Sequence, residues 1–232
     1  MFNRGRHIAL AIAAAGLFVV GGCDFRKAET YRYRITVEVE TPQGLRSGSS
    51  VWETSAWQGT GIPDRGIRSR ERGEAVAVDL PGGTLFALLR GADMDVDYVS
   101  GVVPSHFRRH PEPGLQMGGD WAENRRSIAK AEPSFDLYPD EYPLLVRFRD
   151  IADPTSVERA DPGSLSNLGT GFRVKRIRVD VTTDSAKPAI DDRLPWLKTH
   201  VGALKNPPRN TPFDEHPFAS RLNDGDFVRG VR

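Results

Sequence analysis

Along residues 31–40 apolar and polar side chains alternate without a break. Tyr31, Tyr33, Ile35, Val37 and Val39 fall in one phase, and Arg32, Arg34, Thr36, Glu38 and Glu40 in the other. A period of two places successive side chains on opposite faces of a pleated backbone, so this stretch predicts a strand with one buried and one wet face. Pro42 and Gly44 supply a turn, and residues 49–57 read as a second strand pairing back on the first. Residues 74–80 and 84–90 flank Pro81-Gly82-Gly83, where proline followed by glycine suits a type II turn and hence a second hairpin. Further on, Leu144, Val146 and Phe148 share a phase within residues 143–149. In residues 172–182 the phase changes: Phe172 and Val174 belong to one set, Ile177, Val179 and Val181 to the other. A one-residue slip of this kind is what a β-bulge produces, and it is expected near Lys175 and Arg176. Six strands with hairpin turns predict a mainly β chain, an antiparallel β-sandwich-like domain with a few short helices and long loops.

Helical signals are sparse. Asp120 is placed to cap a helix over residues 121–130, and Asp153-Pro154 forms an N-cap and first-turn pair. Leu194, Leu197, Val201 and Leu204 have helical spacing, with Asn206-Pro207-Pro208 as a stop. The glycine-, arginine- and proline-rich stretches at 58–73 and 101–119 read as long loops. Prolines at 207, 208, 212 and 217 predict an extended tail laid over the surface or partly mobile. The organisation expected is therefore a leader over 1–22, a short tether over 23–30, one β-rich domain over 31–204 and a proline-rich tail over 205–232.

The leader carries the most specific signal. Arg4 and Arg6 precede thirteen uncharged residues, 8–20, which is the layout of a secretory signal peptide and falls short of the roughly 20 residues a membrane-spanning helix needs. The run ends in Val20-Gly21-Gly22-Cys23, and Cys23 is the sole cysteine. This segment resembles the lipobox of bacterial lipoproteins, with Val20 and Gly21 as variants of the commoner residues. The resemblance implies diacylglyceryl transfer to Cys23, cleavage between Gly22 and Cys23, and acylation of the new terminus. Two or three acyl chains hold a protein on a membrane far more firmly than one. Asp24 resembles the retention signal of enteric lipoproteins and so slightly favours the inner membrane, with the domain facing the periplasm. The tether over residues 24–30 reaches about 24 Å when extended, which keeps the domain close to the bilayer.

The body is similar to a group of uncharacterised bacterial envelope proteins carrying Tyr-Pro-Leu-Leu-Val-x-Phe, Asp-Pro-x-Ser-Val and Leu-Pro-Trp-Leu. Here these are residues 142–148, 153–157 and 194–197. That resemblance brings no activity with it.

Composition narrows the function classes. With 32 Lys+Arg against 31 Asp+Glu, and 38% hydrophobic residues, the chain is neither a basic nucleic-acid binder of the usual kind nor a multi-span membrane protein. One cysteine excludes a disulfide framework. Catalytic motifs are poor: Ser127-Ile-Ala-Lys130 matches the Ser-x-x-Lys of penicillin-binding proteins, but no Ser-Asp-Asn or Lys-Thr-Gly partner accompanies it. Trp52, Trp57, Trp121 and Trp196 read as core or partly buried packing residues. The best candidate chemistry is a metal site from Asp93, Asp95 and Asp97 with His106 and His110, since the i, i+4 spacing lets two imidazoles share a helix face. Against it, alternating Asp with Met94, Val96 and Tyr98 also describes the wet face of an edge strand. Residue 107 is Phe where zincins carry Glu, and Pro111 to Pro113 oppose a continuing helix. No cofactor is called for. The expectation is a lipid-anchored envelope protein, a non-catalytic binding or accessory module with an envelope protein or polymer as partner. The alternative is an envelope hydrolase or metal-dependent enzyme built on residues 93–110.

Overall fold

A computed structural model describes residues 28–59, 66–115, 117–187 and 189–230. The leader, Val20 to Cys23 and Asp24 lie outside these residues. The strands are β1 (Glu29–Thr41), β2 (Gly44–Gln58), β3 (Ile67–Glu74), β4 (Val76–Leu80), β5 (Gly83–Gly91), β6 (Ser134–Asp136), β7 (Pro143–Phe148), β8 (Val157–Arg159), β9 (Arg173–Thr182) and β10 (Val228–Arg229). The α-helices are α1 (Tyr98–Arg109), α2 (Trp121–Ala131) and α3 (Ile190–Arg193). Two antiparallel sheets pack together in a β-sandwich-like, mainly β fold. One has the order β10-β3-β2-β1-β9-β6 and the other β4-β5-β7-β8.

β1 is the central strand its alternation predicts. Tyr31, Tyr33, Ile35, Val37 and Val39 are all buried, while the opposite phase stays half-exposed and carries ion pairs such as Arg32 with Glu53 at 2.6 Å and Glu38 with Arg176 at 2.8 Å. On the β9 side Glu38 faces Arg176 and Val39 faces Val174, so Lys175 is the extra residue of a bulge where the phase slip places it.

The inner face of the large sheet has two covers. Over one end lies the small sheet, approaching so closely that a Cβ on Gly48 would sit 2.0 Å from the Ala77 carbonyl oxygen. Over the other end lie α1 and α2. The Tyr33 hydroxyl donates to the Val99 carbonyl at 2.8 Å, Trp52 Nε1 donates to the Glu74 carbonyl at 2.7 Å, and the Trp52 ring meets Tyr98 edge-on at 6.2 Å. Asp120 caps α2 as expected, accepting from the Ala122 N–H at 3.0 Å, and Asp153 accepts from the Thr155 N–H at 2.8 Å ahead of a 3-10 turn.

Several expectations are corrected. The stretch expected as a loop over 58–73 contains most of β3, whose Arg68, Ser69, Arg70 and Arg72 are exposed; an edge strand with little to bury shows no hydrophobic period. Much of the 101–119 stretch is α1, which tolerates Pro104 and buries Tyr98, Val99, Val102, Val103, His106 and Phe107 at helical spacing. The β4–β5 hairpin is not type II, because positive φ (130°) falls on Gly83 and not on Gly82. Gly82 is needed for another reason: a Cβ there would lie 2.0 Å from the Leu168 carbonyl oxygen. The helix expected through Leu204 is only α3 and a 3-10 turn, Pro195–Lys198; Leu194, Leu197 and Leu204 are buried, but Val201 is 88% exposed. The proline-rich segment after residue 205 forms single 3-10 turns and ends in β10, delivering Leu222, Phe227 and Val228 to the core.

Candidate functional site

α1 organises the polar chemistry of the molecule. Its buried face is fixed to the sheet by the Tyr33 and Trp52 contacts, and the Tyr98 hydroxyl donates to the Glu141 carbonyl at 2.7 Å. That bond holds the start of α1 against the 3-10 turn Pro139–Glu141, which lies between β6 and β7. At the other end of α1, His106 is 4% exposed, and its ring stacks on Phe135 with centroids 4.0 Å apart. His106 Nδ1 lies 2.8 Å from Glu141 Oε2. A carboxylate only accepts, so Nδ1 carries the hydrogen.

Glu141 is enclosed by donors. Oε2 accepts from His106 and from the Tyr138 N–H at 3.0 Å, and Oε1 accepts from Arg109 at 2.6 Å. His110 stands outside this set, its Nε2 3.9 Å from Oε1 and its ring packed at 4.2 Å on Tyr138. Among the described residues, His106, His110 and Glu141 form the one group of potential metal ligands whose donor atoms all lie within 4.8 Å of one another. The two histidines of the expected site are thus brought together, but with a glutamate 35 residues beyond His106 that nothing in the sequence paired with them.

Asp93, Asp95 and Asp97 do not join that group. They are exposed, and no strand forms there: the chain turns through Met94 at φ 74°. The Asp95 N–H donates to Asp93 Oδ1 at 3.0 Å and the Asp97 N–H to Asp95 Oδ1 at 2.9 Å. The Asp93 and Asp95 carboxylates therefore close successive side-chain turns leading into α1, and Asp97 stands at its N-cap without a side-chain capping bond. The edge-strand reading of this segment and the shared five-residue ligand set are both replaced by this arrangement.

A cleft lies on each flank of α1, and Arg108 borders both. The first, about 380 Å³, is lined by Asp93, Asp95, Ser105, Arg109, Asp140 and Tyr142 among others. The second, about 620 Å³, lies between α1, α2 and the β2–β3 pair, with Ile67, Met117, Trp121 and Ile128 as apolar walls. Arg125 lines this second cleft. It is 9% exposed, its NH2 donates to Thr54 Oγ1 at 2.7 Å, and its guanidinium carbon sits 5.1 Å over the Tyr31 ring. Burial pushes the Tyr31 hydroxyl up to about 12, against the opposing pull of Arg125.

Of the remaining sequence candidates, Trp52 is fully buried, and Trp57, Trp121 and Trp196 are half-buried. Trp196 packs against Phe148 and Phe227. Ser127 and Lys130 sit in α2 with Lys130 exposed. No helix among the described residues is long and apolar enough to cross a membrane. Compared with family models, curated proteins and solved structures, the chain matches none.

Proposed function

We propose that this protein is a lipid-anchored accessory or binding module of a bacterial cell envelope, held on a membrane surface through Cys23 and facing the periplasm. The observation that carries the reading is the sequence Val20-Gly21-Gly22-Cys23, placed directly after a basic start and a thirteen-residue uncharged run and holding the sole cysteine. Lipid and N-acyl chains on that residue form the membrane attachment, and Asp24 favours the inner membrane. The body supports a binding role in two ways. Its first strand begins at Glu29, six residues after Cys23, so a rigid β-sandwich presents its clefts close to the bilayer. Asp93 and Asp95 each spend a carboxylate oxygen on a backbone turn, which favours a structural role for them over a place in an enzyme's metal centre. Comparing wild type with Cys23→Ser by membrane fractionation and mass spectrometry tests the anchor. Wild type in the membrane fraction with acyl mass on Cys23, and Cys23→Ser without it, is the expected result; an unmodified Cys23 in soluble wild type would overturn the reading.

A second reading, a metal-dependent envelope hydrolase, is favoured by the approach of His106, His110 and Glu141. For a divalent cation to bind there, His106 must either ligate through Nε2 or give up its Nδ1 proton, and the cation must share Glu141 with Arg109. Stoichiometric zinc uptake that disappears in His110→Ala is its test.

A further inference from the structure

The cleft between α1, α2 and the β2–β3 pair contains a cation with no matching anion. Arg125 is nine-tenths buried, yet among the described residues no carboxylate oxygen lies within ion-pairing distance of it. One of its terminal nitrogens is bonded to Thr54; the other, NH1, is sealed from bulk water and makes no well-aligned hydrogen bond, and the Tyr31 hydroxyl beside the guanidinium is likewise left without one. Glu71, which acts with Arg125 on the buried Tyr31 hydroxyl, is already bonded to Arg229 and to the Ser100 N–H. A buried charge is ordinarily paired, and a buried donor left unmade is costly. The face of Tyr31 offsets only part of that cost.

The surroundings say what would complete it. Trp121, Met117, Ile67 and Ile128 give the cleft apolar walls, and its volume of about 620 Å³ is within the range of small-molecule sites. Arg108 stands at the rim as a second, solvent-facing cation, and the first turn of α2, with its positive dipole end, borders the cleft through Trp121 and Asn124. Asp97, at the start of α1, also lines the cleft and disfavours a multiply charged anion. We propose that this cleft binds a small monoanionic organic acid, its carboxylate directed to Arg125 with Arg108 at the entrance and its apolar body against Trp121, Met117 and Ile67. Because NH1 is sealed where it stands, the carboxylate reaches it only if the guanidinium turns off Tyr31 towards the cleft. The proposal deepens the binding-module reading by naming a ligand class, and it does not depend on where the chain is anchored.

The test uses the full purified chain with 4-phenylbutyrate as the probe, and with 4-phenylbutanol and inorganic phosphate as controls, read by Trp fluorescence and thermal shift. The expected result is saturable binding of the acid, at least tenfold tighter than the alcohol, with no response to phosphate. Arg108→Ala, a surface change, should weaken the acid several-fold. Arg125→Met should abolish the preference for acid over alcohol in a protein that still folds, the removal of an unpaired buried charge offsetting the lost hydrogen bond to Thr54. No binding of the acid, equal binding of acid and alcohol, or an unchanged preference in Arg125→Met would each overturn the proposal. The anchor is read separately, by the fractionation of Cys23→Ser, so failure of one does not look like failure of the other.

Discussion

Arg90 and Asp226 form an ion pair inside the protein, Nε to Oδ1 2.9 Å, with the side chains 8% and 1% exposed. The contact is close without the alignment of a hydrogen bond; Arg90 NH1 makes its hydrogen bond to the Arg221 carbonyl at 2.9 Å, and the Asn223 N–H donates to Asp226 Oδ2 at 2.8 Å. Together these fasten the C-terminal segment onto β5, which is how a proline-rich stretch comes to place Phe227 in the core. Breaking a buried pair by removing one partner costs about 3–5 kcal/mol where the other charge is left uncompensated, an upper bound here because Arg229 also stands 4.0 Å from Asp226. Arg90→Met should therefore lower stability by up to about 3–5 kcal/mol in urea unfolding, and Arg90→Met/Asp226→Leu should recover most of the loss. Burial pushes the Asp226 carboxyl up, with the Asn223 N–H and Arg90 pulling the other way. A raised folded-state value means that this group favours folding most in acid and loses that contribution as pH rises through the folded value. Arg90→Met removes an opposing pull, so its stability should fall more steeply than that of wild type as pH rises from 4 towards neutrality.

The bulge at Lys175 gives a prediction in which length matters more than chemistry. Lys175 is exposed, so Lys175→Ala should change stability by no more than about 0.5 kcal/mol. Deleting the residue instead removes the slip that lets Val174 on one side and Ile177, Val179 and Val181 on the other share the inner face. The deletion should cost more than about 2 kcal/mol in denaturant unfolding, the scale at which core packing is lost. Equal effects of deletion and substitution would show that the register on β9 is not fixed by the bulge.

That bulge also marks how far the sequence alone could reach. A period of two is readable where one face is buried and the other wet, so β1, β9 and the β4–β5 hairpin were all visible, and so were the Asp120 and Asp153 caps, because capping is local. β3 was not, since an edge strand of Ile67-Arg68-Ser69-Arg70-Glu71-Arg72 carries no apolar phase and exists by pairing with β2. α1 was obscured by Gly101 and Pro104, although Val99, Val102, Val103 and Phe107 hold a helical stripe that outweighs them. The histidine pair was legible and its partner Glu141 was not, because that contact is made by the packing of the β6–β7 link against α1. Arg125 looked like one more charged residue on α2 until the sheet buried it beside Tyr31 and Thr54.

On the wet face of the large sheet, Glu38 is held below the usual carboxylate range, first by its hydrogen bond from Arg176; Asp79 on β4 is lowered in the same way by Arg193. A depressed folded-state value contributes stability that is present above the unfolded value, near 4.3 for Glu and 3.9 for Asp, and lost as pH falls through the folded one. Glu38→Gln should therefore melt slightly below wild type at pH 7 and converge with it as pH falls below about 4. A difference that stays constant over this range would assign the effect of the substitution to packing and not to the ion pair.

Glu141 is the residue on which the two readings of the histidine cluster part. As a structural hub, its carboxylate accepts hydrogen bonds from His106, Arg109 and the Tyr138 N–H, fastening the C-terminal turn of α1 to the link before β7, and His110 merely packs on Tyr138. Glu141→Gln then removes the negative charge that balances Arg109 and turns one acceptor into a donor facing a donor. The expected loss is about 2–3 kcal/mol, the cost of leaving a charged or buried partner unsatisfied. Under the same reading His110→Ala should cost less than about 1 kcal/mol, because a half-exposed ring makes no hydrogen bond to the cluster. EDTA should leave the wild-type melting temperature where it is. If a divalent cation is instead resident, EDTA lowers that temperature, zinc restores it, and His110→Ala becomes as damaging as Glu141→Gln, since a site of three protein ligands does not survive the loss of one of them.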